Sequence, residues 1–136
     1  MPGTGLFRLI YASRSRIGGD AAMLASILAA ARTNNAAVGI TGVLLHAPDG
    51  FAQVLEGSLP AVSAAFERIQ NDPRHGDVTV LEAGPAEARL FPAWSMAAVD
   101  RAEAPELAWP VVTADPAVLL DVLRQLLAGV ASGPAP

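Results

Sequence analysis

Apolar residues recur along this chain with two periods, and the switches between them mark its elements. Leu6 to Ser13 is a short apolar run bounded by Gly5 and a polar loop, Arg14 to Gly19, and it predicts a strand. From Asp20 the spacing turns helical, with Met23, Leu24, Ile27, Leu28 and Ala31 on one side. Asn34-Asn35 is the predicted end of that helix, because asparagine tolerates the left-handed conformation that closes one. Ile40 to His46 predicts a second strand, Pro48-Asp49-Gly50 a turn, and the run from Phe51 to Gly57 the other arm of a hairpin. Ser58 is the predicted N-cap of a second helix, striped by Val62, Ala65, Phe66 and Ile69 and stopped by Asp72-Pro73. Val78 to Ala83 and Phe91 to Val99 predict two more strands, paired with each other through a turn around Gly84-Pro85. Asp115-Pro116 then opens a last helix with Leu119, Val122, Leu123, Leu126, Leu127 and Val130 in one stripe.

The order βαββαββ predicts an α+β fold of the ferredoxin-like kind, a five-stranded mixed sheet with one strand added to the split βαβ core. Strand 1 is apolar on both faces, with Leu9 on one and Ile10 on the other, so both faces must be covered. The first two helices suit one face and the C-terminal helix the other. The expected divisions are a core over 6–99, a helical cap over 100–131 and a flexible tail over 132–136. Val118 and Leu120 lie off the last helix's stripe and are expected to be available to another chain, which predicts a homo-oligomer.

Alternation also assigns faces within strands. Phe51, Gln53 and Leu55 share one side, while Ala52, Val54 and Glu56 share the other. Gln53 therefore points inward with Phe and Leu, and unpaired amide groups there would cost roughly 1–3 kcal/mol. Tyr11 alternates with Phe7 and Leu9, so its hydroxyl enters the same interior. A split βαβ sets strands 1 and 3 side by side, which brings Tyr11 and Gln53 together. Such a pair can be two core polar groups satisfying each other, or the wall of a ligand site. Trp94 and Met96 share a strand face as core filler would. Arg68, Arg74 and His75 form either a solvated basic edge or a phosphate site. Glu56 points away from Gln53, as a surface or backbone-pairing group.

Composition narrows the choice. At 136 residues, 52% hydrophobic and 16% charged, the chain suits one compact domain rather than a disordered one. No apolar run is long enough to span a membrane and no signal peptide precedes the first strand, so a cytoplasmic location is expected. The lack of cysteine removes disulfides and thiolate chemistry, and a net charge of −4 argues against a nucleic-acid partner. His46 and His75 have no second ligand at metal spacing, and no serine has a histidine and acid to complete a triad. The loop SRIGG is neither a Walker nor a dinucleotide motif.

Five segments occur in one order: L-I-Y-A-S, N-N-A-A-V-G-I-T-G-V-L-L, F-A-Q-V-L-E-G, D-P-R-H and W-S-M. This series closely resembles the BLUF family, the sensors of blue light using FAD, over about Leu6 to Val99. The resemblance implies FAD held noncovalently between the two helices on one sheet face. Carried over by motif, Tyr11 donates an electron and a proton to the photoexcited flavin, and Gln53 lies between that tyrosine and the ring. Asn34 and Asn35 match the family's paired asparagines at the ring's polar edge. Ile27 and Ile69 match its sandwiching aliphatics. Arg32, Arg68, Arg74 and His75 fit the region of the ribityl-phosphate tail, and Trp94 and Met96 the photoactive pair of strand 5. The implied protein is a photoreceptor, not an enzyme, signalling through strand 5 and the C-terminal helix to a separate effector protein or to its own oligomer. Two alternatives remain beside it. An acylphosphatase-like hydrolase would use Arg14 or Arg16 with Asn34 or Asn35, and an interaction module would have a polar interior of structural value only.

Overall fold

The protein is described here from a computed structural model over residues 5–18, 20–47, 50–91, 97–100 and 116–129. Its elements are β1 (Leu6–Ser15), α1 (Ala21–Val38), β2 (Thr41–Ala47), β3 (Gly50–Ser58), α2 (Leu59–Gln70), β4 (His75–Ala86), β5 (Ala97–Asp100) and a C-terminal helix, α3 (Pro116–Gly129). The sheet order is β4-β1-β3-β2-β5, antiparallel through the first four strands, with β5 parallel to β2.

Local signals account for most of these boundaries. Asp20 caps α1 by accepting from the Met23 N–H at 3.0 Å, and Ser58 caps α2 by accepting from the Ala61 N–H at 3.3 Å. The end of α1 differs from expectation. The helix runs through Asn34-Asn35 to Val38, and Gly39, at φ 73°, takes the left-handed position. Glycine adopts it without the Cβ penalty an asparagine would carry, so the later and better terminator wins. The Asn35 carbonyl receives both the Gly39 and the Ile40 N–H groups.

Strand pairing differs too. Gly84-Pro85 is no turn but part of β4, where Pro85 stands opposite Phe7. A proline is tolerated there because β4 is an edge strand and needs no donor on its outer side. β5 does not pair with β4; it lies at the far edge, beside β2. Phe91, the expected start of strand 5, sits in a bend, and β5 begins at Ala97. Trp94 and Met96, the turn residues 48 and 49, Asp115 and the tail lie outside the described residues.

The sheet separates two apolar layers. On one face Ile10, Val43, Leu45, Ala52 and Val54 meet Phe91 and, from α3, Leu119 and Leu123. On the other, Leu9, Tyr11, Leu44, Phe51 and Leu55 meet Leu28 of α1 and Val62 and Ala65 of α2. The C-terminal helix thus covers the face opposite α1 and α2, as the two-sided apolarity of strand 1 requires. Val118 is exposed as expected, but Leu120 packs against the core cluster. Among the described residues, no helix is long and apolar enough to cross a membrane.

Candidate functional site

A cavity of about 530 Å³ lies between the sheet and helices α1 and α2. Its volume is in the range of small-molecule sites. β1 and β3 bring Tyr11 and Gln53 to its wall as direct cross-strand partners. The Tyr11 hydroxyl donates to Gln53 Oε1 at 2.5 Å, and both side chains are buried. The tyrosine ring is fixed from the other side by Phe66 of α2, with centroids 5.6 Å apart. Burial pushes the Tyr11 phenol far above its ordinary pKa, and the negative charge of Asp72 acts in the same direction. The group is a phenol, not a phenolate, throughout the physiological range.

Because α1 continues past them, Asn34 and Asn35 stand on its final turns and both line the cavity. Asn35 is buried and Asn34 exposed. Ile27 of α1 and Ile69 of α2 supply apolar walls, and Leu44, Phe51 and Leu55 line the sheet side. Three amides and one phenol among aliphatic surfaces suit a flat heteroaromatic group with a polar edge. The residues present fit a flavin ring.

Arg68, Asp72, Pro73, Arg74 and His75 line the cavity where α2 turns into β4. Arg74 donates to Asp72 through Nε at 2.9 and 3.1 Å and through Nη2 at 2.6 Å, while the Arg74 N–H also bonds Asp72 Oδ1. The guanidinium holds the Asp72 carboxyl below the usual carboxylate range, and its own proton is held more tightly in return. Arg74 therefore reaches the cavity with its charge already matched by a carboxylate. His75 is engaged at both nitrogens, with Ser13 Oγ at 2.7 Å from Nδ1 and the Ile69 carbonyl at 2.5 Å from Nε2. A carbonyl only accepts, so Nε2 carries a proton and donates it to Ile69, while Nδ1 is paired with the Ser13 hydroxyl. His75 joins the end of α2 to β1 instead of presenting a ring nitrogen to a ligand.

Of the twelve residues singled out from the sequence, Tyr11, Ile27, Asn34, Asn35, Gln53, Arg68, Ile69, Arg74 and His75 converge on the cavity. Arg32 does not line it, and Trp94 and Met96 lie outside the described residues. Sequence reasoning had Asp72 only as a helix stop and missed Ser13. The spacing Leu9, Tyr11, Ser13 on one strand face would have found the serine. Arg14 is exposed, 3.8 Å from Asp77, and neither it nor Arg16 lines the cavity with the asparagines, as a hydrolase would require. Among the described residues, no three His, Asp or Glu side chains cluster to hold a metal.

Comparison with known proteins bears on the cavity's occupant. The family model described as "Sensors of blue-light using FAD", BLUF, matches residues 6–97. A photoactivated adenylate cyclase subunit beta of Euglena gracilis is 38% identical over 94 residues, 68% of this chain and 11% of that protein. The alpha subunit of the same organism is 36% identical over 95 residues. The chain spans about a tenth of the length of these curated relatives. Among solved structures, the dark state of BlrB, a BLUF protein, superposes with a TM-score of 0.78 at 35% identity, covering 87% of this chain and 94% of that one. BlsA in its ground state gives a TM-score of 0.69 at 37% identity, over 74% of this chain and 68% of that one.

Proposed function

The chain belongs to the BLUF family of flavin-binding blue-light sensors, and on that premise we propose that it holds FAD noncovalently and signals through the Tyr11–Gln53 pair. The observation that carries this is the Tyr11–Gln53 hydrogen bond, buried at the wall of a cavity bounded by two asparagines. Bound flavin supplies the absorption of blue light and a transient acceptor for an electron and a proton. Everything else belongs to the chain. Asn34 and Asn35 orient the ring's polar edge, and Ile27 and Ile69 exclude water from its faces. Arg68 and the Arg74–Asp72 pair meet the phosphate-bearing tail, which favours a phosphorylated flavin over riboflavin.

Tyr11 is the electron and proton donor, and its proton already lies on the bond to Gln53 Oε1. The two ends of the Gln53 amide are nearly isosteric but opposite in hydrogen-bonding sense. Turning the amide, or shifting it to its tautomer, changes what it offers the cavity without changing its volume. We read the sheet order β4-β1-β3-β2, with β5 added, as a ferredoxin-like arrangement, which supports this reading. In this reading residues 6–99 are the sensor core, 100–131 the cap, and output passes through β5 and α3 to another protein or a second copy. In this reading the sensor domain itself turns nothing over, and the cyclase named for its relatives is a property of those proteins.

The purified protein is expected to be yellow, to release stoichiometric FAD on denaturation, and to show a reversible red shift under blue light. Tyr11→Phe and Gln53→Leu should each abolish that shift while retaining flavin. A protein that stays colourless after refolding with FAD overturns the proposal, and a full shift in either variant removes that residue from the mechanism.

A further inference from the structure

Three residues beyond Gln53 on β3, Glu56 enters the opposite face of the sheet and is wholly buried. The sequence suggested a surface or backbone-pairing group, and only the second description fits. Both oxygens receive N–H groups. Oε1 accepts from Leu90 at 3.0 Å and Phe91 at 2.9 Å, and Oε2 accepts from Leu90 at 2.9 Å and Arg8 Nε at 2.8 Å.

The surroundings form a row across three strands, since Glu56 is the register partner of both Arg8 on β1 and Thr41 on β2. Residues 88–91 are held over that row. Arg8 Nη2 donates to the Ala88 carbonyl at 2.8 Å. Arg89 Nη1 donates to Thr41 Oγ1 at 2.7 Å and the Glu56 carbonyl at 3.0 Å, and its Nη2 donates to the Gly39 carbonyl at 2.8 Å. The chain leaves the sheet at one edge with β4 and rejoins it at the other as β5. The Leu90 and Phe91 amides are outside any strand on the way. Buried amides without a partner are costly, and the Glu56 carboxylate substitutes for the missing ladder. With it made, the Phe91 ring is buried in the layer that also holds Leu119 and Leu123.

We infer that Glu56 is a positioning residue whose buried carboxylate clasps residues 88–91 across β3, sets where β5 docks, and makes β5 answer to the strand that carries Gln53. The last part rests on the photoreceptor reading. Glutamine cannot replace Glu56, because its NH₂ would face N–H donors, and aspartate is one methylene short of them.

Residue-resolved hydrogen exchange on the full, flavin-loaded chain, in darkness and under blue light, tests this. In darkness the Leu90 and Phe91 amides should be protected, and illumination should change their exchange by at least about threefold. Glu56→Gln should cost them about tenfold or more in dark protection and erase any light–dark difference at residues 97–100, with the flavin red shift intact. A merely structural role would lower protection without touching the light dependence. Unprotected amides in the dark, unchanged protection in Glu56→Gln, or equal exchange in light and dark in a chain that still red-shifts would each overturn the clasp as stated. If Glu56→Gln does not fold, Arg89→Gln, which removes the three bonds that tie residues 88–91 to Thr41, Glu56 and Gly39, should give the same loss. A chain without a red shift fails the photoreceptor reading instead, and the dark protection still judges the clasp.

Discussion

Tyr11 is the chain's single tyrosine, and its hydroxyl is buried against one amide oxygen. That isolation makes its titration readable. In the unfolded chain the phenol ionises near pH 10, whereas in the folded protein burial raises its pKa well beyond that. The folded state therefore binds more protons above pH 10 than the unfolded state. Stability due to this group is fully present below pH 10 and falls by about 1.4 kcal/mol for each pH unit above it. Alkaline absorbance titration should show no tyrosinate before the protein unfolds, and the light-induced shift should keep its amplitude from about pH 6 to pH 9. Tyrosinate appearing near pH 10 while the fold persists would contradict the buried bond. Tyr11 and Gln53 were legible from alternation alone. His75 was not, because its partners Ser13 and Ile69 lie on other elements.

The decisive element is α1, because the three residues it continues past Asn35, to Val38, decide what the asparagines do. Ended at Asn34-Asn35, the helix would spend them as a cap; ended at Gly39, it presents them to the cavity. A Cβ at Gly39 would meet nothing within 4 Å, so Gly39→Ala should cost only the backbone strain of a non-glycine residue at φ 73°, about 1 kcal/mol. Gly84 is equally open but has no positive φ, so Gly84→Ala should stay within about 0.5 kcal/mol of the parent. Denaturant melts of the two variants check the difference. Equal midpoints would mean that Gly39 is not the terminator. The rule that asparagine closes helices failed here because two terminators competed within five residues, and the stronger one took the position.

Across the whole molecule, one sheet carries the cavity on one face and the α3-covered layer on the other. Reversing a 1:99 equilibrium takes about 5.5 kcal/mol of bias. One rearranged neutral hydrogen bond contributes roughly 1 kcal/mol. On the proposed mechanism, packing shared by the two layers would have to amplify it. Leu119 is fully buried on the far layer, so Leu119→Ala should destabilise the fold by about 2–5 kcal/mol while leaving the flavin spectrum and red shift unchanged. Deleting 115–136 uncovers Ile10, Val43, Leu45 and Val54 and should leave a pigmented but aggregating protein, measurable by chromatography with light scattering. A soluble monomer with normal photochemistry would show that α3 is not a required cover.

Period and turn chemistry determined the elements of this chain: strands 1 to 3, both central helices, the inward aim of Tyr11 and Gln53, and the need to cover the sheet twice. These are local or face-level facts, set by which side of a strand or helix a residue occupies. The tertiary structure alone decided what each element meets. It put β5 beside β2 instead of β4, and it brought the Leu90 and Phe91 amides to their acceptor, Glu56, across the sheet. It matched Arg74 with Asp72 and gave both nitrogens of His75 to the protein. The Glu56 and Ser13 contacts depend on partners distant in sequence and the Arg74–Asp72 pair on the shape of the turn between α2 and β4, and alternation along one strand carries no information about either.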